Sequence, residues 1–427
     1  MKIKVIKTTY NKMMAMAEAS HEKHKKPIRP NILFRTLLKI VSLPDLLATH
    51  FSCKRIGMEK LGKREPAFFL MNHSSFIDLE IASSVLYPRP FNIVATTDGF
   101  IGKDWLMRQI GCIPTRKFVS DAALVRDMMY AIRKKSCSVI MFPEAGYSFD
   151  GSATTLPDTL GKCVKLMGVP LVMIRTYGAF SRDPLYNNLH RRHVNVSATM
   201  EYLLSKEEIY EMSAEAIDEI IKDRFTFDSF RWQQENHVAI PDKTRAEGLN
   251  RVLYKCPACL AEGKTHGEGE LLTCKACGKS YRLTEYGKME ATEGETEIEQ
   301  VTDWYAWERE CARQEVESGE YSLDTPVEIL AAFNTKNLYS IGTGRLVHTP
   351  EGFKLTSDDG ELSYEQKTLA SYSLNSDFNW YELGDIISIG DGKVLYYCIT
   401  KAEGDVAAKA RLAHEEAYKI IHASHAR

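Results

Sequence analysis

Short apolar runs alternate with segments whose apolar residues recur every three to four positions, the pattern of strands feeding amphipathic helices. Ala67-Phe68-Phe69-Leu70-Met71 reads as a buried strand, and Phe76, Ile77, Leu79, Ile81, Ala82 and Val85 follow at helical spacing. Cys137-Ser138-Val139-Ile140-Met141-Phe142 and Leu171-Val172-Met173-Ile174 read as two more buried strands. Ile110-Gly111-Cys112-Ile113-Pro114-Thr115 is strand-like and ends in two cations, Arg116 and Lys117. The pattern predicts an α/β domain with a central, mostly parallel sheet flanked by helices. Residues 206 to 222 read as an acidic amphipathic helix. From about 322 to 400 strands alternate with turn signals such as Asp358-Asp359-Gly360 and Gly390-Asp391-Gly392, and a helix over about 404 to 424 follows.

Ahead of the α/β pattern, Leu33, Phe34, Leu37, Leu38, Ile40 and Val41 form a wide apolar stripe, with Arg35, Lys39 and Ser42 on the other face. Arg35, Lys39, Pro44 and Asp45 interrupt any run of about twenty apolar residues, so a membrane-spanning helix is excluded. Two placements fit: an interfacial helix with its cations near anionic headgroups, or a helix packed on the α/β domain. Residues 1 to 65 hold eleven Lys and four Arg against one Asp and four Glu, a charge of 15 − 5 = +10, although the chain as a whole is at −2. Lysines spread through the first 26 residues leave no apolar core for a signal peptide. The expected location is cytoplasmic, peripheral to the inner face of the membrane.

A length of 427 residues suits two to four domains, and 44% hydrophobic with 26% charged residues excludes disorder and a polytopic membrane protein. Cys256-Pro257-Ala258-Cys259 and Cys274-Lys275-Ala276-Cys277 are two Cys-x2-Cys pairs separated by fourteen residues. That spacing predicts a four-thiolate zinc ribbon whose metal is structural, since four ligands leave no open position. The other six cysteines show no comparable pairing, which favours a reducing compartment over disulfides. Glu262, Glu268 and Glu270 offset Lys264 and Lys275 between the pairs, and without a basic aromatic stripe nucleic-acid binding is not expected. The expected division is a basic N-terminal segment (1–55), the α/β domain (56–250), the ribbon (251–285), a linker and helix (286–320) and a C-terminal β-rich domain with its terminal helix (321–427).

The chemistry concentrates at the first strand-to-helix turn. His73 there can accept a proton from an attacking hydroxyl, and Asp78, one helical turn on, can hold the other ring nitrogen. Ser75-Phe76-Ile77-Asp78 equally matches a capping box in which Asp78 only caps the helix. The further blocks, Ile110 through Lys117, Phe142-Pro143-Glu144-Ala145-Gly146-Tyr147-Ser148 and Gly168 through Arg175, come in order after it. Together these four blocks, over roughly residues 60 to 200, resemble the motifs of the glycerolipid acyltransferase family typified by 1-acylglycerol-3-phosphate (lysophosphatidate) acyltransferase. The resemblance implies His73 as general base, Asp78 as its orienting partner, Arg116, Glu144, Gly146 and Tyr147 at the acceptor site, and direct attack of the acceptor hydroxyl on an acyl thioester. Tyr147 stands where the family usually shows arginine, replacing a bidentate phosphate clamp by one neutral donor and an aromatic face. Gly146-Tyr147-Ser148 is not a nucleophile elbow, because position 150 is aspartate.

The expected activity is transfer of a fatty acyl group from acyl-CoA or acyl-carrier protein to a lysolipid hydroxyl, most simply that of 1-acylglycerol-3-phosphate or a related lysophospholipid. A catalytically silent lipid- or protein-binding scaffold built on the same core is the second reading. The strand-rich C-terminal tract with its closing helix resembles a pleckstrin-homology-like barrel in architecture alone.

Overall fold

A computed structural model describes residues 3–20, 24–117, 121–400 and 406–425. Seven strands form the α/β sheet. From one edge they run Ser52–Ile56, Ser197–Leu204, Leu171–Tyr177, Phe68–Met71, Ser138–Met141, Phe91–Thr96 and Cys112–Thr115. The last five are mutually parallel, while the first two pair parallel with each other and antiparallel to the rest. Alternation of side chains sends Phe69 and Met71 into one core with the helix Ile77–Leu86, and Phe68 and Leu70 into another with the helices Ala122–Lys135, Leu160–Met167 and Ala214–Phe225. The apolar run is continuous because both faces are covered. Local signals set the ends: Asp121 accepts from the Ala123 and Leu124 amides to start its helix, and Gly168, at φ +63°, ends Leu160–Met167.

Three sequence expectations change. The stretch 206 to 222 is two helices, Lys206–Glu211 and Ala214–Phe225, because Ser213 turns its side chain onto the Ala216 amide and starts a second helix. Residues 286 to 303, the first part of the expected linker and helix (286–320), hold the strand Met289–Ala291, which completes the ribbon sheet beside Ser280–Leu283, Leu271–Cys274 and Thr265–Glu268. Met289 is fully buried, so the polar composition there reports only the outward side chains. The helix Val301–Ser318 is part of the same core: buried Trp304 donates from its indole to the Lys255 carbonyl at 2.9 Å and meets Tyr281 edge-on. The N-terminal segment is likewise divided. Its strand Val5–Lys7 pairs parallel with Leu338–Thr349 of the C-terminal sheet, and Met13 is buried in that sheet's core.

The C-terminal half is one sheet in the order Ser363–Lys367, Gly352–Ser357, Leu338–Thr349, Leu323–Ala332, Leu395–Thr400, Ile386–Gly390 and Asn375–Asp377, with all of these ladders antiparallel. The two end strands share no ladder among the described residues, so a pleckstrin-homology-like barrel is not confirmed. The helix Val406–His425 ties this half to the rest. Its buried Glu415 accepts from Arg309 at 2.7 Å, Ser373 at 2.5 Å and Thr155 at 3.3 Å. These contacts join the long helix, the β-rich half and the α/β domain.

The helix Ile32–Ala48 lies with its polar side inward. Arg35 donates to the Pro88 carbonyl, Lys39 sits 4.5 Å over the Tyr87 ring, and Ser42 is buried against Ser83. Leu33, Leu37, Val41 and Leu47 are 50% exposed or more. No helix among the described residues is long and apolar enough to cross a membrane.

Candidate active site

The turn after Phe68–Met71 brings the sequence-predicted pair together. His73 Nδ1 lies 3.0 Å from Asp78 Oδ2, and that same oxygen accepts the Ser74 amide at 2.8 Å and the Ser75 amide at 3.0 Å. Asp78 thus serves both roles weighed from sequence: it caps the backbone entering Ile77–Leu86 and orients the imidazole. The carboxylate is fully buried while the imidazole keeps 23% exposure. The Phe142 ring stacks on His73 at 4.1 Å and the Tyr147 ring leans against it at 4.3 Å. With Nδ1 held by a carboxylate, Nε2 is the nitrogen able to take a proton.

Glu144 is engaged by protein donors on both carboxylate oxygens. Its buried carboxylate accepts the His73 amide at 2.7 Å on one oxygen, and the Thr154 amide at 3.0 Å and hydroxyl at 3.2 Å on the other. Burial pushes its carboxyl up to about 7, although these hydrogen bonds pull the other way. The group is therefore a tie between the histidine turn and the loop after Ser138–Met141. Ala145 beside it adopts φ +54°, a left-handed conformation that costs a β-carbon residue about 1 kcal/mol. Ser148 is buried and donates to the Ser152 carbonyl at 2.6 Å, as a loop residue would.

Asn72 is a supporting residue that sequence reasoning passed over. Its side-chain oxygen accepts the Thr176 amide at 2.8 Å, pinning the histidine turn to the end of Leu171–Tyr177. Its place in the Asn72-His73 pair was the available signal. Phe142 was also missed as a ring partner.

His73, Gly146 and Tyr147 line a cavity of about 1160 Å³. Part of its lining is apolar: Val94, Val125, Met128 and Met141 belong to the core under the helix Ala122–Lys135, and Ile93 and Cys112 to the core on the other face of the sheet. Arg116 also lines the cavity, but its guanidinium donates to the Asp391 carbonyl at 2.9 Å and the Lys393 carbonyl at 3.1 Å, across to the β-rich half. Part of its donor capacity is therefore already used. Phe76, exposed at 57%, and Met107 line the cavity as well, and Trp105, exposed at 66%, meets Phe34 of the outward-facing apolar helix.

The four ribbon cysteines converge. Their sulfurs all lie within 4.8 Å of one another, with Cys256 to Cys277 at 3.9 Å and Cys259 to Cys274 at 3.7 Å. Tetrahedral zinc–thiolate bonds of about 2.3 Å require sulfurs about 3.8 Å apart, so the set fits zinc. The spacing is far beyond a disulfide bond, and all four cysteines are free. His266 is exposed on the neighbouring strand, with Glu268 3.8 Å away, and is not in the cluster.

Residues 53–176 match the family model described as Acyltransferase. That span contains all four ordered sequence blocks that carry the resemblance. No curated protein shows significant similarity to the chain. Among solved structures the chain is similar to the 1-acyl-sn-glycerophosphate (LPA) acyltransferase PlsC of Thermotoga maritima, at 14% identity and a TM-score of 0.38, over 48% of this chain and 80% of that one.

Proposed function

We propose that the protein transfers a fatty acyl group from an acyl thioester, acyl-CoA or acyl-carrier protein, to the hydroxyl of a lysolipid, 1-acylglycerol-3-phosphate or a related lysophospholipid. The observation that carries this reading is the His73–Asp78 pair, held at 3.0 Å at the wall of a large, partly apolar cavity inside an Acyltransferase domain. His73 Nε2 takes the proton of the acceptor hydroxyl as its oxygen attacks the thioester carbonyl. The thiolate then leaves, recovering the proton from the imidazolium. Asp78 stabilises that imidazolium, and no acyl-enzyme forms.

Glu144 holds the histidine turn, Gly146 and Tyr147 face the acceptor, and Arg116 braces the cavity against the β-rich half. The apolar lining takes an acyl chain. The outward face of Ile32–Ala48, continued by Trp105, lies in a membrane interface and leads acceptor lipid past Phe76 to the cavity. Cys256, Cys259, Cys274 and Cys277 hold a structural zinc that fixes the ribbon and performs no chemistry. The test is acyl transfer from radiolabelled thioester to a lysolipid panel, wild type against His73→Ala. Loss of transfer in the variant supports the reading. Equal transfer by both proteins overturns the role given to His73, and no transfer by either favours the scaffold.

A further inference from the structure

The Acyltransferase domain supplies only part of the wall around His73. Tyr372, Asp377, Trp380, Tyr381 and Glu382 of the β-rich half line the same cavity. Here the surroundings of Tyr147 become informative. Burial pushes its phenol well above the usual tyrosine value, and the Asp78, Asp377 and Asp183 carboxylates push it further. The position where the resemblance leads one to look for an arginine therefore sits in a negative field.

The segment 377–382 is shaped for this place. Asn379, Tyr381 and Glu382 all adopt left-handed backbone, at φ +46°, +49° and +64°. Such conformations persist only when their surroundings over-determine them. Here the Asn379 amide donates to Asp385 at 2.8 Å, the Trp380 amide to the Gly384 carbonyl at 2.9 Å, and the Trp380 indole to Asp98 at 3.2 Å. Trp380 stacks on Tyr397 at 4.5 Å and meets Tyr381 edge-on at 4.9 Å. The result is a cavity wall that carries the Asp377 carboxylate together with Tyr372, Trp380 and Tyr381, a combination that recognises an ammonium ion. Lys117 lines the same cavity beside Arg116, and its charge acts on Asp377 against those of Asp98 and Asp385. Asp98, Asp121, Asp158 and Glu382 line the cavity as well, so its carboxylates outnumber the cations Arg116 and Lys117 and, together with them, complement a zwitterion. They complement a dianionic phosphomonoester poorly.

We propose that the 377–382 segment is the head-group wall of the cavity and selects a zwitterionic lysolipid, with ammonium on Asp377 and phosphodiester on Lys117, over a lysolipid ending in a phosphomonoester. The proposal rests on the acyl-transfer reading for the identity of the site but is measured without turnover. The probes are short-chain lysophosphatidylethanolamine and short-chain lysophosphatidate, each below its micelle concentration. They are titrated calorimetrically into the full-length wild type, Asp377→Asn, Asp377→Lys and Tyr147→Arg.

Wild type should bind the zwitterion at least ~10-fold tighter, Asp377→Asn should bring the ratio towards one, and Asp377→Lys and Tyr147→Arg should favour lysophosphatidate. Thermal melts identify any variant that fails to fold, and the asparagine isostere keeps the test decisive if the lysine variant does. Tighter binding of lysophosphatidate by wild type, a ratio unmoved by Asp377→Asn, or binding of neither lipid would each overturn the proposal. Acyl transfer by the same proteins is scored separately. The predicted binding ratios without any transfer would support the wall and overturn the acyl-transfer reading. Transfer with an unmoved ratio would do the opposite.

Discussion

Replacing Asp78 by asparagine separates the two things that residue does. One oxygen of Asp78 accepts three donors, His73 Nδ1 and the amides of Ser74 and Ser75, while Oδ1 has no protein partner. The two backbone amides force an asparagine to put its carbonyl oxygen where Oδ2 was, with its NH2 group in the free position. The imidazole then keeps the same tautomer and orientation. What is lost is the charge. A hydrogen bond to an ionised group is worth about 1.5–3 kcal/mol against about 0.5–1.5 for a neutral one. The imidazolium in the transition state should therefore lose about 1–2 kcal/mol, and kcat should fall by roughly 5- to 30-fold with KM little changed. Asp78→Ala should behave differently, because it strands two buried amides and frees the ring. It should cost a few kcal/mol of stability as well as most of the activity. Single-turnover transfer rates and thermal melts on the three proteins decide this. A rate loss above about 10³-fold for Asp78→Asn would mean that the tautomer had flipped and that the amide-fixed geometry is wrong. Wild-type rates for Asp78→Asn would remove Asp78 from the mechanism.

Further outcomes concern the rest of the molecule. Glu144 has a folded-state pKa of about 7, above the ordinary 4.5, so the native protein holds an extra proton between those values and stability should fall as pH rises from 4.5 to 7. Glu144→Gln should flatten that part of the thermal-midpoint profile, and an unchanged profile would remove Glu144 as its source. Protein prepared under reducing conditions without chelator should carry one zinc per chain, and Cys256→Ser or Cys274→Ser should lower the melting temperature. Metal-free protein of full stability would refute the zinc assignment. Leu33→Glu/Leu37→Glu/Val41→Glu should abolish binding to anionic vesicles in a flotation assay while leaving the melt unchanged, because those side chains already face solvent. Vesicle binding that survives the triple change would show that this helix is not the membrane contact.

Periodicity made the α/β half readable because burial on both faces leaves uninterrupted apolar strands such as Ala67 through Met71, followed by a helical pattern. The His73–Asp78 pair and the four cysteines were legible for a local reason. Each set lies in short sequence spacings that a single turn or knuckle converts into proximity. Glu144 was singled out for the acceptor site, yet its hydrogen bonds place it between two loops, a distinction that spacing cannot express. The inward turn of Arg35 and Lys39 was hidden for a similar reason. An amphipathic stripe tells which residues share a face but not which face the protein covers. The wall from Asp377 to Glu382 was the least legible, since it meets His73 only through the docking of Val406–His425 and the β-rich half, across about three hundred residues of chain.

The most direct test of the acyl-transfer account is the single-turnover rate with His73→Ala, measured on folded, zinc-replete protein with the thioester and lysolipid that wild type uses best. General-base catalysis contributes about 10²-fold or more, so the variant should be slower by at least that factor with an unchanged melting temperature. Transfer by His73→Ala at the wild-type rate would contradict the account.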